Sequence, residues 1–390
     1  MELPGPSLSG ARAPRIAVVH EWLLDYAGSE RVLREILEVV PQADLFTLID
    51  RPDEELHAAL LRRAKATSFL QSLPSPRRWL RYYVPLMPLA VKGLDVSAYD
   101  IVISSSHAVA KGVRTAARQM HLSYVHTPMR YAWDLRDEYL RAAGLDRGPL
   151  GWAARFALRR LRHWDMRSAR GVDVFIANSS HVAARIRRAY GREAEVLYPP
   201  VDIAAFPCGA QTSDFYLTVS RLEPYKRVDL LVQAFARSPQ RRLVVIGDGP
   251  EMRRLRAMAV PNVELRGRLS SSEVLSHMQR ARAFLFAGIE DFGIVIAEAQ
   301  ACGTPVIAFN AGGAAEIVRE TTGLLFAEQT PQAVLDALER FERLPPFASG
   351  RCRDNAMRFD RAAFRRRFSE ALGSHWDAFL RERATAPSRS

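Results

Sequence analysis

The sequence predicts an α/β protein of two domains, each a doubly wound parallel sheet. Three observations carry that expectation. Short apolar runs recur along the chain, helical patterns of roughly ten residues separate them, and the set occurs once on each side of VDIAAFPCGAQTSD. Strands that alternate with helices specify parallel sheets covered on both faces. A chain of 390 residues suits about two domains of ordinary size.

The elements follow in order. After the leader MELPGPSLSGARAP, which lacks the apolar segment of a signal peptide, RIAVVH reads as the first strand. The loop LLDYAGSE then leads into the helix RVLREILEVV, whose apolar residues fall at helical spacing. Later strands of the first half are ADLFTLI, YDIVISSS, HLSYVH, VDVFIANS and AEVLYPP. The second half opens with FYLTVSRL and continues through RLVVIGDG, NVELRG, ARAFLFAG, TPVIAFN and GLLF. These patterns predict two Rossmann-like domains facing one another across a cleft, over residues 14–205 and 206–358. The terminal segment ATAPSRS reads as a disordered tail.

Composition narrows the class. Hydrophobic residues make up 48% and charged residues 25%, which predicts globular cores and excludes wholesale disorder. Cys208, Cys302 and Cys352 form no pair motif and no metal-ligand spacing, so a reducing, intracellular compartment is expected. No apolar run is long enough to span a bilayer. The net charge of +12 raises the question of nucleic acid, yet no recognition module is present. The basic residues are instead concentrated. Between Glu55 and Asp95 no acidic residue occurs, while RRWLRYYVPLMPLAVKG mixes arginines with Trp79, Tyr82, Tyr83, Leu86 and Met87. RFALRRLRHWDMRSAR repeats the theme. Cations interleaved with aromatic side chains suit an anionic membrane surface, although solvated helix faces give the same pattern.

The segment EDFGIVIAEA carries the most chemistry. ARAFLFAG before it and GTPVIAFN after it read as strands, so the segment is a loop and a helix start at the carboxyl edge of a sheet. Amides near Gly293, Ile294 and Val295 are unpaired helix-start donors that favour phosphate. Glu290 in the loop and Glu298 inside the helix would repel that phosphate and suit hydroxyl groups on either side of it. Sugar, diphosphate and sugar in a row satisfy all three demands, which describes a nucleotide sugar. Either carboxylate alone would equally suit a dipole partner or a solvated face. SRLEPYKRVD places Arg221 and Lys226 at the end of a strand in the same half, where a guanidinium fork and an ammonium suit two phosphates. No dinucleotide fingerprint and no P-loop occurs, and neither a D-x-D motif nor a zinc spacing is present.

Together these motifs resemble those of the GT-B glycosyltransferases of family four, a retaining family that uses nucleotide sugars. The likeness rests on SRLEPYKRVD, VVIGDGP, the two spaced glutamates of EDFGIVIAE, EAQACGTPVIAFNAGGAAEIV and ETTGLLF. In the first half, AGSERV resembles the acceptor-side glycine loop. SYVHTPMRYAWD and YDIVISSSHAVAKGV resemble bacterial mannosyltransferases of O-antigen or exopolysaccharide synthesis.

The resemblance implies that Arg221 and Lys226 hold the donor diphosphate with the amides from Phe292 to Val295. It implies that Glu298 binds the ribose hydroxyls and Glu290 the transferred hexose. His126 would face the reacting sugar, Gly28 would let the backbone approach it closely, and Tyr131, Trp133 and Asp134 would line the acceptor side. Trp133 equally suits a core position. Two departures stand out: Ala27-Gly28 where the family often has two glycines, and Ile296 where it often has proline. C-terminal helices over residues 360–382 are expected to pack back on the first domain.

The activity so implied is metal- and cofactor-independent transfer of a hexose, with mannose from GDP-mannose the leading donor. A lipid-linked saccharide, carried on polyprenyl diphosphate, would accept it on the cytoplasmic face of the inner membrane, where the enzyme would be peripheral. A UDP-sugar transferase, and an epimerase or phosphorylase on the same fold, are the alternatives. His20 and His107 stand at strand ends where ligand contact and structural roles both fit, and Asp248 suits a turn.

Overall fold

The computed structural model describes residues 8, 12–61, 63–130, 132–133, 140–141, 144, 147–209 and 213–385, with Pro76 and Arg81 described by backbone alone. The chain forms two compact units. The first comprises Met1–Tyr198 with Phe364–Ser390, and the second Pro199–Ala363. The border falls before VDIAAFPCGAQTSD because that stretch is tied to the second unit. Val201 donates its amide to the Phe359 carbonyl at 2.8 Å, and Arg353 reaches the Phe206 carbonyl at 2.7 Å.

Seven strands make the first sheet: β1 (Ile16–Leu23), β2 (Asp44–Asp50), β3 (Ala66–Thr67), β4 (Ile101–Ser106), β5 (Met120–Val125), β6 (Val174–Ala177) and β7 (Glu195–Val196). Their spatial order is β3-β2-β1-β4-β5-β6-β7 and every pair is parallel. Side chains alternate between two cores, as strand geometry dictates. On one face Ile16, Val18, Ile103 and Leu122 meet Val32, Leu33 and Ile36 of helix Gly28–Val39. On the other, Ala17, Val19 and Val102 meet Met87, Ala90 and Val91 of helix Met87–Lys92. Both faces of β1, β4 and β5 are covered, so even the serines of β4 and His121 and Ser123 of β5 are buried.

The first core is closed by the last helix, Arg361–Thr385. It contributes Phe364, Phe368, Leu372 and Trp376, all buried. Phe364 packs edge-on to Tyr124 of β5 with ring centres 5.9 Å apart, and Arg365 pairs with Glu35 at 2.5 Å.

The second sheet contains β8 (Phe215–Val219), β9 (Arg242–Ile246), β10 (Val263–Gly267), β11 (Ala283–Phe286), β12 (Val306–Phe309) and β13 (Gly323–Phe326). Its order is β10-β9-β8-β11-β12-β13, again wholly parallel. Both sheets thus follow the order in which the chain reverses direction beside the first strand. In such sheets ligands bind beyond the carboxyl ends at that reversal. The reversal lies between β1 and β4 in the first unit and between β8 and β11 in the second.

Candidate active site

In the second unit the two loops that flank the reversal meet. The loop after β8 carries Arg221, which is exposed, and ends in a single 3-10 turn, Pro224–Lys226. The loop after β11 carries Glu290. Lys226 Nζ and Glu290 Oε1 form an ion pair in which both side chains are about seven-eighths buried, at 12% and 14% exposure. Gly288 makes this meeting possible. A Cβ there would stand 2.8 Å from Lys226 Cα and 2.9 Å from the carbonyls of Tyr225 and Lys226. The Lys226 ammonium also lies 5.3 Å from the Tyr225 ring centre and 5.7 Å from that of Phe286.

The rest of the Glu290 loop is held from two sides. Gly313, in the glycine pair after β12, donates its amide to the Glu290 carbonyl at 2.8 Å. Phe292 is buried against Phe359, ring centres 5.1 Å apart. Gly293 then takes φ 96° and ψ 60°, a left-handed conformation that glycine adopts without a Cβ clash, and helix Ile294–Ala301 begins. The first amides of that helix, at Ile294 and Val295, have no intrahelical acceptor by construction. The helix is apolar and buried nearly all round, so it shows no stripe, and Glu298 sits within it at 8% exposure. VVIGDGP, by contrast, supports the β8 loop: Leu222 donates its amide to the Asp248 carbonyl at 2.9 Å, and the Asp248 carboxylate accepts from Gly249 at 2.8 Å.

The second unit therefore brings Lys226 and Glu290 into contact, with Phe292–Val295 in the same loop and helix start. Arg221 shares the Lys226 loop, and Glu298 lies one turn into the helix.

At the reversal of the first sheet, sequence reasoning found only part of the arrangement. His126 stands one residue past β5, half-buried, and its Nε2 lies 2.9 Å from Ser105 Oγ of β4. Behind it lie buried groups that sequence did not assign. His20 of β1 is 3.1 Å from Ser105 Oγ through Nδ1 and 3.2 Å from Glu30 Oε1 through Nε2. Glu30, the third residue of helix Gly28–Val39, also accepts the Ala27 amide at 3.1 Å and the Ser29 hydroxyl at 3.0 Å. Gly28 is the first residue of that helix. Glu21 is fully buried, and its Oε1 accepts from the amides of His107, Ala108, Val109 and Ala110 at 2.8–3.0 Å. Its other oxygen is 3.1 Å from His107 Nδ1.

The charges there are strongly perturbed. Burial alone would raise the Glu21 and Glu30 carboxyls. His107 beside Glu21 and His20 beside Glu30 outweigh it and hold both below the usual range. Burial alone would lower His107, but Glu21 outweighs it and raises the imidazolium. Among the described residues His126 has no carboxylate paired with it. Burial, then His107 and His20, push it down to about 3, so it is neutral at physiological pH.

Of the acceptor-side candidates, Tyr131 and Asp134 lie outside the described residues. Trp133 is half-buried and donates its indole N–H to Asp165 at 2.8 Å. Asp165 also accepts from Tyr190 at 2.9 Å and pairs with buried Lys111. One face of the Trp133 ring is covered by Arg162, 4.0 Å from the ring centre. Among the described residues no group of three or more His, Cys, Asp and Glu could hold a metal ion.

The basic aromatic segment is more divided than its sequence suggests. Helix Pro76–Tyr83 leaves Trp79 and Tyr82 exposed, and Leu86 and Leu89 follow. Arg77, still exposed, bonds the Leu24 carbonyl at 2.6 Å and Asp25 at 2.9 Å. Helix Gly148–Ser168 exposes Trp152 at 78% and Phe156 at 59%. Among the described residues no helix is long and apolar enough to cross a membrane.

Comparison with known proteins agrees with the geometry. Residues 26–205 match the family model Glycosyltransferase Family 4, and residues 209–361 match Glycosyl transferases group 1. The GDP-mannose-dependent alpha-(1-6)-phosphatidylinositol monomannoside mannosyltransferase of Mycobacterium tuberculosis is 33% identical over 226 residues, covering 48% of this chain and 57% of the relative. The D-inositol 3-phosphate glycosyltransferase of Frankia alni is 34% identical over 187 residues, covering 40% of this chain and 46% of the relative. The chain spans about half the length of the curated relatives it matches.

Among solved structures, Anabaena Alr3699/HepE in complex with UDP and glucose has a TM-score of 0.66 at 20% identity, covering 93% of this chain and 100% of that one. Sucrose-phosphate synthase from Thermosynechococcus elongatus gives 0.70 at 17%, with coverage of 93% and 100%. At such identities these two carry the fold alone. A first unit of the family 4 type, followed by a second of the group 1 type on a sheet of the same strand order, makes this chain a member of the GT-B glycosyltransferases of family 4.

Proposed function

We propose that the protein is a retaining hexosyltransferase that moves a hexose, with mannose from GDP-mannose the leading donor, to a lipid-linked saccharide. The observation that carries the donor half of this reading is the Lys226–Glu290 contact at the reversal of the second sheet. An ammonium and a carboxylate held side by side suit the junction between a diphosphate and a sugar. Lys226, Arg221 and the amides of Phe292–Val295 take the diphosphate, Glu290 takes hexose hydroxyls, and Glu298 takes the ribose. The relatives include GDP-mannose-dependent phosphatidylinositol monomannoside mannosyltransferases, which supports mannose and a lipid-borne acceptor.

The reaction needs no bound metal in this reading. The acceptor hydroxyl attacks the anomeric carbon from the face the diphosphate leaves. The departing phosphate oxygen takes the hydroxyl proton as the old C–O bond breaks and the new one forms. Lys226, Arg221 and the helix-start amides stabilise the growing phosphate charge, the kind of effect that usually dominates. His126 of the first unit contacts the hexose, and Trp133, with Tyr131 and Asp134 outside the described residues, belongs to the acceptor side.

We further assign the exposed aromatic and basic surface of the first unit to an anionic membrane, where a polyprenyl-diphosphate-linked saccharide would be presented on the cytoplasmic face.

The test is incubation of the pure protein with GDP- and UDP-sugars and lipid-linked saccharides, following nucleotide release and product. Release that depends on both GDP-mannose and a lipid-linked acceptor, with retained anomeric configuration by NMR, supports the reading. Release with no acceptor requirement, or turnover confined to a UDP-sugar, overturns it or its donor.

A further inference from the structure

A hydrogen-bonded chain of four side chains runs through the first unit to His126. Glu30 Oε1 is 3.2 Å from His20 Nε2. His20 Nδ1 is 3.1 Å from Ser105 Oγ and 3.2 Å from the Ser105 carbonyl oxygen. Ser105 Oγ is 2.9 Å from His126 Nε2. His20, Glu30 and Ser105 are all buried, so water does not satisfy these groups instead.

Acceptor oxygens stand at both ends of the His20 ring. A carboxylate and a carbonyl oxygen only accept. Nε2 faces the Glu30 carboxylate, and Nδ1 faces the two oxygens of Ser105, of which the carbonyl only accepts. The Ser105 hydroxyl accepts on that side and has His126 Nε2 as the acceptor for its own proton. A neutral imidazole that accepts at Nε2 holds its proton on Nδ1. Among the described residues, His126 Nδ1 has no protein partner, and the residue is half-buried rather than closed off.

We infer that Glu30, His20 and Ser105 are positioning residues that lock His126 as its Nδ1–H tautomer, so that it offers a ligand a neutral donor rather than an acceptor. That the ligand is a hexose rests on the function proposed above; the tautomer does not. The surroundings agree. β1 supplies His20 and Glu21, helix Gly28–Val39 supplies Glu30, the loop after β4 supplies His107, and Arg130 acts from the segment after β5. Two imidazole–carboxylate pairs, His20–Glu30 and His107–Glu21, flank His126. Its ring centre is 6.2 Å from that of His107, and burial first, then the charge of His107, keeps His126 uncharged.

The full chain, labelled with nitrogen-15 at histidine and read by long-range imidazole NMR near neutral pH, tests this. Signals of His126 are assigned from their loss in His126→Gln. In the wild type, Nδ1 is expected to show the protonated-nitrogen shift and Nε2 the unprotonated one. Glu30→Gln keeps an acceptor and a capping side chain but removes the negative charge that faces His20 Nε2. The Ser105 hydroxyl then turns to His20, and the His126 proton moves to Nε2. Ser105→Ala removes the link while leaving Glu30 and the helix cap untouched, and frees His126 from the fixed tautomer.

In both variants kcat falls about tenfold, the loss of one ordinary hydrogen bond to the transition state, while nucleoside diphosphate affinity is unchanged. A wild-type His126 protonated on Nε2, or a tautomer that neither variant alters, overturns the inference whatever the turnover. An Nδ1–H signature without hexose transfer sustains it and counts against the proposed reaction instead.

Discussion

Glu290→Gln separates the two jobs assigned to the Lys226–Glu290 contact, because they respond with opposite signs. Without ligand, the Lys226 ammonium is neutralised by Glu290 in a nearly buried pair. A phosphate oxygen taking the same ammonium from another side lies about 6 Å from that carboxylate, two hydrogen-bond lengths away. At an effective dielectric constant of about 20, two like charges at that distance repel by about 2.8 kcal/mol. Screening over a Debye length of about 8 Å leaves roughly 1.3 kcal/mol at physiological salt. Removing the charge should therefore tighten free nucleoside diphosphate about tenfold. The hexose contact moves the other way. Losing a charge-assisted hydrogen bond of about 1.5–3 kcal/mol lowers kcat/KM for the nucleotide sugar by roughly 10- to 150-fold. Titration calorimetry with GDP and UDP gives the first quantity and steady-state turnover the second. A variant that loses diphosphate affinity and turnover in parallel would falsify the division of labour.

Three further outcomes follow from other parts of the molecule. Lys226→Ala and Glu298→Ala should each weaken the complete donor by about 1.5–3 kcal/mol, and unchanged calorimetric affinity in both removes the donor assignment. His121 is fully buried between the Ser104 hydroxyl and the Gly171 carbonyl, and burial is the main cause that pushes it down to about 4 from an ordinary 6.5. The unfolded chain takes up that proton at higher pH than the native state does. Stability should thus be lost as pH falls from 6.5 to 4, by about 3 kcal/mol from this residue; His121→Gln should flatten the pH dependence of denaturation there, and an unchanged slope contradicts it. Trp152→Ser with Phe156→Ser should cut binding to anionic vesicles at least tenfold and leave the melting temperature unmoved, since both rings are mostly in water. Undiminished sedimentation with the vesicles would show that this helix is not the contact.

The fold was legible because short apolar segments alternate with helical patterns along both halves of the chain, as parallel sheets covered on both faces require. The placement of Arg221, Lys226 and Glu290 was legible for a related reason: they fall in loops whose flanking strands were plain, so their sheet edge could be inferred. What sequence could not supply was contact between residues 64 positions apart, and Lys226 beside Glu290 came only with the structure. In the first unit, Glu21 and Glu30 looked like part of an ordinary strand and an ordinary helix start. Their importance arises from burial against His107 and His20, which no local pattern records. Arg77, read in sequence as part of a basic run that suits lipid, also reaches the Leu24 carbonyl and Asp25, contacts that no local pattern records.

The last helix has a consequence for how the protein is made. The second unit is one continuous stretch, Pro199–Ala363, and can complete itself as soon as that stretch leaves the ribosome. The first unit, although synthesised earlier, lacks Phe364, Phe368, Leu372 and Trp376 from one face of its sheet until the final helix arrives. At about 5–20 residues per second, the interval after Tyr198 lasts roughly ten seconds or more. Order of synthesis and order of completion are therefore reversed. During that interval Ile16, Val18, Ile103 and Leu122 present a partly uncovered apolar face, the substrate on which chaperones act.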